Sequence, residues 1–215
     1  MRCEKEMMKL YAVTDRAWTK EQTLMEQVEQ ALKGGVTCVQ LREKELDEES
    51  FLAEAHEMKA LCAEYNVPFF INDNVDIAIK CGADGIHVGQ DDMEAGNVRK
   101  LVGEKMMIGV SAQTVEQAKA AVKAGADYLG VGAVFSTSTK LDAADVPYDT
   151  LKAICESVDV PVVAIGGISK ANIMELSGSG VDGVALVSAI FASKDIEKEC
   201  RELCELSEMM VRKNK

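Results

Sequence analysis

Strict alternation of short apolar runs with helical patterns predicts an α/β protein whose parallel strands close on themselves, a (β/α)8 barrel of the TIM type. Parallel strands need crossover connections, and each run here is followed by a helical segment after a short link. Most of the runs are apolar throughout, as strands covered on both faces are. A short echo, Gly35-Val36-Thr37, Gly82-Ala83-Asp84, Gly125-Ala126-Asp127 and Gly180-Val181-Asp182, precedes the second, fourth, sixth and eighth runs. That repeat, two units long, suits a closed barrel better than an open doubly wound sheet with edges.

Taken in order, residues 10–15 form the first strand. Leu24, Val28, Ala31 and Leu32 have helical spacing within residues 19–32, and Gly34-Gly35 ends that helix. Residues 37–41 are the second strand. Asp47-Glu48-Glu49 opens the next helix, acidic at its positive end, with Phe51, Leu52, Ala55, Met58, Leu61 and Cys62 on its buried face. Strand 69–73 leads into helix 75–81, strand 85–90 into helix 94–102, and strand 106–110 into a helix capped by Thr114 and reaching Ala124. Strand 128–135 is followed by a polar loop and a helix from Pro147 to about Val158. Strand 161–165 ends at Gly166-Gly167, Ser169 caps a helix to Leu176, and 183–186 is the eighth strand. A long helix closes the chain near residues 195–211. No linker or composition break interrupts this order, so residues 1–215 read as one domain: an extension over 1–9, a barrel core over 10–190, and a last helix over 195–214.

Composition narrows the function. Of 215 residues, 36 are acidic and 24 basic, a net charge of −12. Nucleic-acid and anionic-membrane binding need a basic face, so neither is expected, although a local basic pocket for a small anion is allowed. No apolar run is long enough to span a bilayer, and residues 1–9 are too charged for a secretory signal. Seven cysteines without a CxxC pair fit reduced cytoplasmic thiols better than disulfides or structural zinc. Two histidines, His56 and His87, are too few for a polyhistidine metal centre. The partners expected are small-molecule substrates, and the exposed ends of a barrel allow a homo-oligomer.

Barrel chemistry gathers at the carboxyl ends of the strands. Those ends carry Thr14-Asp15, then Gln40, Arg42 and Lys44, then Asn72-Asp73, then Gln90, Asp91 and Asp92. Ser111, Thr137-Ser138-Thr139-Lys140, Gly166-Gly167 and Val187-Ser188 follow. By strand alternation Gln40, Arg42 and Lys44 share one face, with Leu41 and Glu43 on the other. Asp73 and one of Asp91 or Asp92 could share a magnesium ion with substrate phosphate oxygens; the plainer reading makes them helix caps. Arg42, Lys44 and Lys140 suit a diphosphate; the plainer reading makes them solvated surface charges. Gly166-Gly167 and the Val187-Ser188 turn offer backbone N–H groups to a phosphate, though turns use glycine too.

With these motifs in place the chain resembles the thiamine-phosphate synthase family over about residues 10–190. The resemblance rests on Val39-Gln40-Leu41-Arg42-Glu43-Lys44, Ile71-Asn72-Asp73, Gly85-Ile86-His87-Val88-Gly89-Gln90 with Asp92, Gly109-Val110-Ser111, Thr137-Ser138-Thr139-Lys140, and Ala164-Ile165-Gly166-Gly167-Ile168. It implies a transferase that joins a hydroxymethylpyrimidine diphosphate to a thiazole phosphate, carboxylated or not, releasing pyrophosphate. It implies that Gln40, Leu41, Arg42, Glu43, Lys44 and Asn72 contact the pyrimidine diphosphate, with Ser111 and Lys140 as further diphosphate contacts. Asp73 and Asp92 would hold magnesium. Thr137, Ser138, Thr139, Gly167, Val187 and Ser188 would hold the thiazole phosphate. The implied route is dissociative, through a pyrimidine methyl cation, with Arg42, Lys44, Ser111 and Lys140 attending the leaving group. Ser136 stands where the family often has proline, and residues 136–145 are the candidate lid. A thiazole tautomerase on the same fold should not need Gln40, Arg42 and Lys44 together with Asp73 and Asp92. A non-catalytic phosphate-binding barrel would leave the clustered cations unexplained. His87, on the opposite strand face from Val88 and Gln90, is expected to be structural.

Overall fold

A computed structural model describes residues 3–19, 21–89, 95–136 and 145–214. Eight parallel strands close in sequence order, with β1 pairing both β2 and β8. They are β1 (Leu10–Val13), β2 (Cys38–Leu41), β3 (Phe69–Asn72), β4 (Gly85–Val88), β5 (Met107–Ala112), β6 (Tyr128–Val131), β7 (Val162–Ile165) and β8 (Gly183–Leu186). Alternation splits each strand between two cores. Outward residues such as Val39, Leu41, Ile71, Ile86, Ile108 and Leu129 pack under the helices. Inward residues such as Tyr11, Cys38, Phe70, Met107, Tyr128 and Val163 fill the barrel.

Inward glycines make room for the large rings. A Cβ on Gly85 would lie 2.1 Å from the Phe70 ring, and one on Gly109 would lie 2.1 Å from Tyr128. Small and large residues therefore alternate between neighbouring strands, and the interior is packed rather than hollow. Residues 1–9, expected as a bare extension, include a 3-10 turn (Lys5–Met8) whose Met8 is fully buried with the barrel-filling cluster.

The two-unit echo has a physical basis. Gly35, Gly82, Gly125 and Gly180 all take positive φ, between 65° and 101°, where a side chain would be strained. Two residues later, a side-chain oxygen accepts the backbone N–H at or beside the start of the preceding strand. Thr37 Oγ1 takes Leu10 N (2.9 Å), Asp84 takes Phe69 N (2.9 Å), Asp127 takes Ile108 N (2.8 Å) and Asp182 takes Val162 N (3.0 Å). These contacts tie adjacent strands together at the amino-terminal end of the barrel.

The helices are α1 (Leu24–Lys33), α2 (Glu48–Glu64), α3 (Val75–Cys81), α4 (Ala95–Val102), α5 (Val115–Lys123), α6 (Tyr148–Ser157), α7 (Ser188–Phe191) and α8 (Ile196–Arg212). Three expectations are corrected. The first helix starts at Leu24, not residue 19, because Thr23 and Glu26 form a reciprocal capping box there. The seventh connection holds a 3-10 turn (Ile173–Leu176) instead of an α-helix from Ser169. In it the Asn172 side chain accepts from Ser169 N and donates to Gly167 O, holding a turn where a helix would begin. Strand β6 ends at Val131 rather than Phe135, as residues 134 and 135 bond instead to Ile165 and Gly166 carbonyls. The short helix α7 was not expected.

Candidate active site

Parity along the strands places several of the expected residues on one surface. Gln40 follows Cys38 on the inner face of β2, Asn72 follows Phe70 on β3, and Ser111 lies two positions beyond Gly109 on β5. All three are at the carboxyl ends of their strands. Gln40 is buried, whereas Asn72 and Ser111 are half-buried.

Beyond Leu41 the strand stops, and the expected face-sharing of Arg42 and Lys44 stops with it. Leu41 turns outward and is fully buried among the helices. The Arg42 N–H donates to the buried Thr14 hydroxyl (3.0 Å), and its guanidinium lies 3.6 Å from Asp15. Glu43 is bound to Arg16 Nε at 2.9 Å, and Arg16 is held in turn by both oxygens of Glu54. Burial pushes the Glu43 carboxyl above its ordinary value, with Arg16 opposing the shift. Glu43 thus anchors the loop that presents its neighbours. Lys44 is exposed, and it lines an open cavity of about 520 Å³ together with Glu43, Asn72 and Asp73.

The β3 end is shaped by its backbone. Asp73 has φ 61°, a left-handed conformation that aspartate tolerates better than most residues. Its N–H donates to the His87 carbonyl (2.8 Å), and the next residue, Asn74, caps α3 through Ile77 N (3.0 Å). This turn puts the Asp73 side chain on the rim of the cavity rather than into the cap. Asp73 is a hard oxygen donor lining the same cavity as Lys44, which fits one carboxylate of a magnesium site shared with phosphate oxygens. Among the described residues no cluster of three or more metal-ligating side chains occurs. The second expected ligand, Asp92, lies outside the described residues, as do Gln90, Asp91, Thr137, Ser138, Thr139 and Lys140.

Gly166 and Gly167 have φ of 99° and 63°. A Cβ on Gly167 would lie 2.4 Å from the Ser136 carbonyl oxygen, so the glycine is needed for the close approach of the loop after β6. Val187 and Ser188 open α7, with Val187 at the N-cap and no side-chain cap. The first N–H groups of any helix lack intrahelical acceptors and suit an anion.

Sequence reading missed how the interior polar residues connect. Gln40 Nε2 donates to Tyr11 Oη (2.8 Å), and Tyr11 Oη bonds Tyr128 Oη (2.8 Å). Tyr128 Oη meets His87 Nδ1 (2.9 Å), and His87 Nε2 meets Ser111 Oγ (3.0 Å). Burial raises both phenols well above their ordinary value. The signal was available: Tyr11, Gln40, His87, Ser111 and Tyr128 all sit at inward positions once strand parity is fixed.

Comparison with known proteins adds the family. The family of thiamine monophosphate synthases matches residues 10–190. A thiamine-phosphate synthase of Ruminiclostridium cellulolyticum is 50% identical over 197 residues, covering 92% of this chain and 94% of that protein. One from Methanobrevibacter smithii is 48% identical over 87% of this chain and 90% of its own. The solved thiamine phosphate pyrophosphorylase of Pyrococcus furiosus superposes with a TM-score of 0.89 at 38% identity, covering 96% of this chain and 98% of that one.

Proposed function

Because this chain belongs to the thiamine-phosphate synthase family, we propose that it couples a pyrimidine methyl diphosphate to a thiazole phosphate at the carboxyl-terminal mouth of its barrel. The observation that carries the reading is the meeting of Lys44, Asn72 and Asp73 around one cavity, with Asn72 on the same inner strand face as Gln40 and Ser111. Gln40 and Asn72 hold the pyrimidine. Arg42, Lys44, Lys140 and the Ser111 hydroxyl bind the diphosphate and stabilise the charge that grows on it as the carbon–oxygen bond breaks. The pyrimidine methyl cation left behind is captured by the thiazole nitrogen, so no strong protein base is needed. The thiazole phosphate sits against Thr137, Ser138, Thr139, Gly167 and the start of α7 at Val187 and Ser188.

Asp73 and Asp92 would hold magnesium, which supplies extra positive charge to the leaving diphosphate when bound. Leu41 serves by its backbone and Glu43 by fixing the loop through Arg16. The seven free cysteines accord with a reducing, cytoplasmic setting.

The direct test incubates the protein with both substrates, with magnesium or with a chelator. Thiamine phosphate and pyrophosphate are expected only with magnesium. Product in the presence of chelator would remove the metal from the scheme, and no product in either arm would overturn the reading. Asp73→Asn makes the sharper variant, since asparagine also tolerates positive φ and keeps the turn. It should lower turnover by about 100-fold with an unchanged urea midpoint.

A further inference from the structure

Five strands contribute one residue each to the interior chain that joins Gln40 on β2 to Ser111 on β5, across Tyr11, Tyr128 and His87. Its links measure 2.8, 2.8, 2.9 and 3.0 Å. Gln40, Tyr11 and Tyr128 are almost fully buried, so a proton without an acceptor there would be costly. The rings have little freedom to turn away. Tyr128 packs edge-on to Phe70 at 5.5 Å and tilted to Tyr11 at 5.9 Å, in the space that Gly109 leaves open. His87 is seated against Gly130, where a Cβ would come within 3.0 Å of its ring.

The order of donors follows from the amide. Gln40 presents a nitrogen, which can only donate, so the Tyr11 oxygen accepts and its own proton must go onward to Tyr128. Tyr128 then gives its proton to His87 Nδ1. An imidazole that accepts at Nδ1 carries its proton on Nε2, and Nε2 faces Ser111 Oγ. The reverse order would leave the Tyr11 proton pointing at an N–H. Burial keeps both phenols protonated and therefore able to donate.

We propose that His87 is a positioning residue: the Gln40–Tyr11–Tyr128–His87 chain fixes it as the Nε2–H tautomer, so that Ser111 Oγ accepts from the imidazole and keeps its own proton to donate to a substrate phosphate oxygen. The chain also couples the orientation of the Gln40 amide, at one end of the pyrimidine site, to that of Ser111 at the other. This rests on the diphosphate role of Ser111 given above. His87 thereby gains a role beyond packing, acting through Ser111 and not on the reacting atoms.

Nitrogen-15 spectra of histidine-labelled protein read the tautomer without any assay of activity. Only two imidazoles are present, and His56 is an exposed residue of α2, so His87→Gln assigns the signals. The Nε2–H form is expected. Tyr128→Phe keeps the packed ring and removes one hydroxyl; it should shift His87 toward a mixture of tautomers. It should also cut kcat/KM for the pyrimidine diphosphate about tenfold, the size of one hydrogen bond, with the KM for thiazole phosphate unchanged. Tyr11→Phe removes the bond through which the Gln40 amide directs the Tyr128 proton and should shift the tautomer in the same direction as Tyr128→Phe. An Nδ1–H tautomer in the unaltered protein, or a Tyr128→Phe spectrum or rate identical to it, overturns the proposal. If the protein made no product at all, the spectra alone would still decide the tautomer.

Discussion

Asp127 answers two donors at once, the Ile108 N–H at 2.8 Å and Arg99 Nη2 at 2.5 Å. Arg99 spends its other N–H groups on the carbonyls of Gly103, Met106 and Gly125, so the pair closes the floor of the barrel between α4, β5 and β6. Asp127→Ala strands both donors and should cost about 2–3 kcal/mol of stability. The check is the urea midpoint, alongside a kcat that stays near the parent value because the residue is at the end opposite the site. The sequence displayed Asp127 as part of an echo; its hydrogen-bonding reason appeared only when β5 lay beside it. Tyr128 was similarly visible as a strand residue and invisible as a link to His87.

At the level of elements, the junction between β3 and α3 carries both structure and part of the candidate site. Asn74 ends the strand-to-helix turn by capping Ile77, one residue after the expected metal ligand. Asn74→Ala should cost about 1 kcal/mol through the lost cap. It should also raise the KM for the pyrimidine diphosphate several-fold, because the turn that aims Asp73 loosens; magnesium titration of the rate gives the same readout. The helix over residues 75–81 was legible in the sequence with the bounds it has in the fold. The seventh connection was not, because the Asn172 side-chain bonds that hold a turn there are a local contest that spacing does not report. The first helix was read too long for a related reason: a capping box decides a start, and periodicity only marks the face.

Across the whole molecule, the seven cysteines behave as core residues. Five are buried, and every thiol is raised by burial, with Cys3, Cys62, Cys155 and Cys200 pushed up to about 12. Thiolates are the reactive form, so iodoacetamide at mildly alkaline pH should leave the native protein essentially unmodified and label all seven thiols in urea, as mass spectrometry would report. The same shifts fix a pH dependence. Above the ordinary thiol value the unfolded chain releases protons that the folded chain retains, so stability should fall as pH rises from about 9 toward 12. Denaturation midpoints across that window test the sign.

By itself the sequence determined the barrel, its strand order and the end at which polar residues collect, because each depends on periodicity and on punctuation by glycine, proline and caps. It also carried the family motifs from Val39 to Lys44 and from Ile71 to Asp73. Tertiary structure alone decided which polar residues touch. It separated Leu41 from its neighbours, bound Glu43 to Arg16, and threaded Gln40, Tyr11, Tyr128, His87 and Ser111 into one chain. The reason is range: helix and strand patterns act over a few residues, whereas the bond between Tyr11 and Tyr128 spans 117 positions and exists only once the barrel closes.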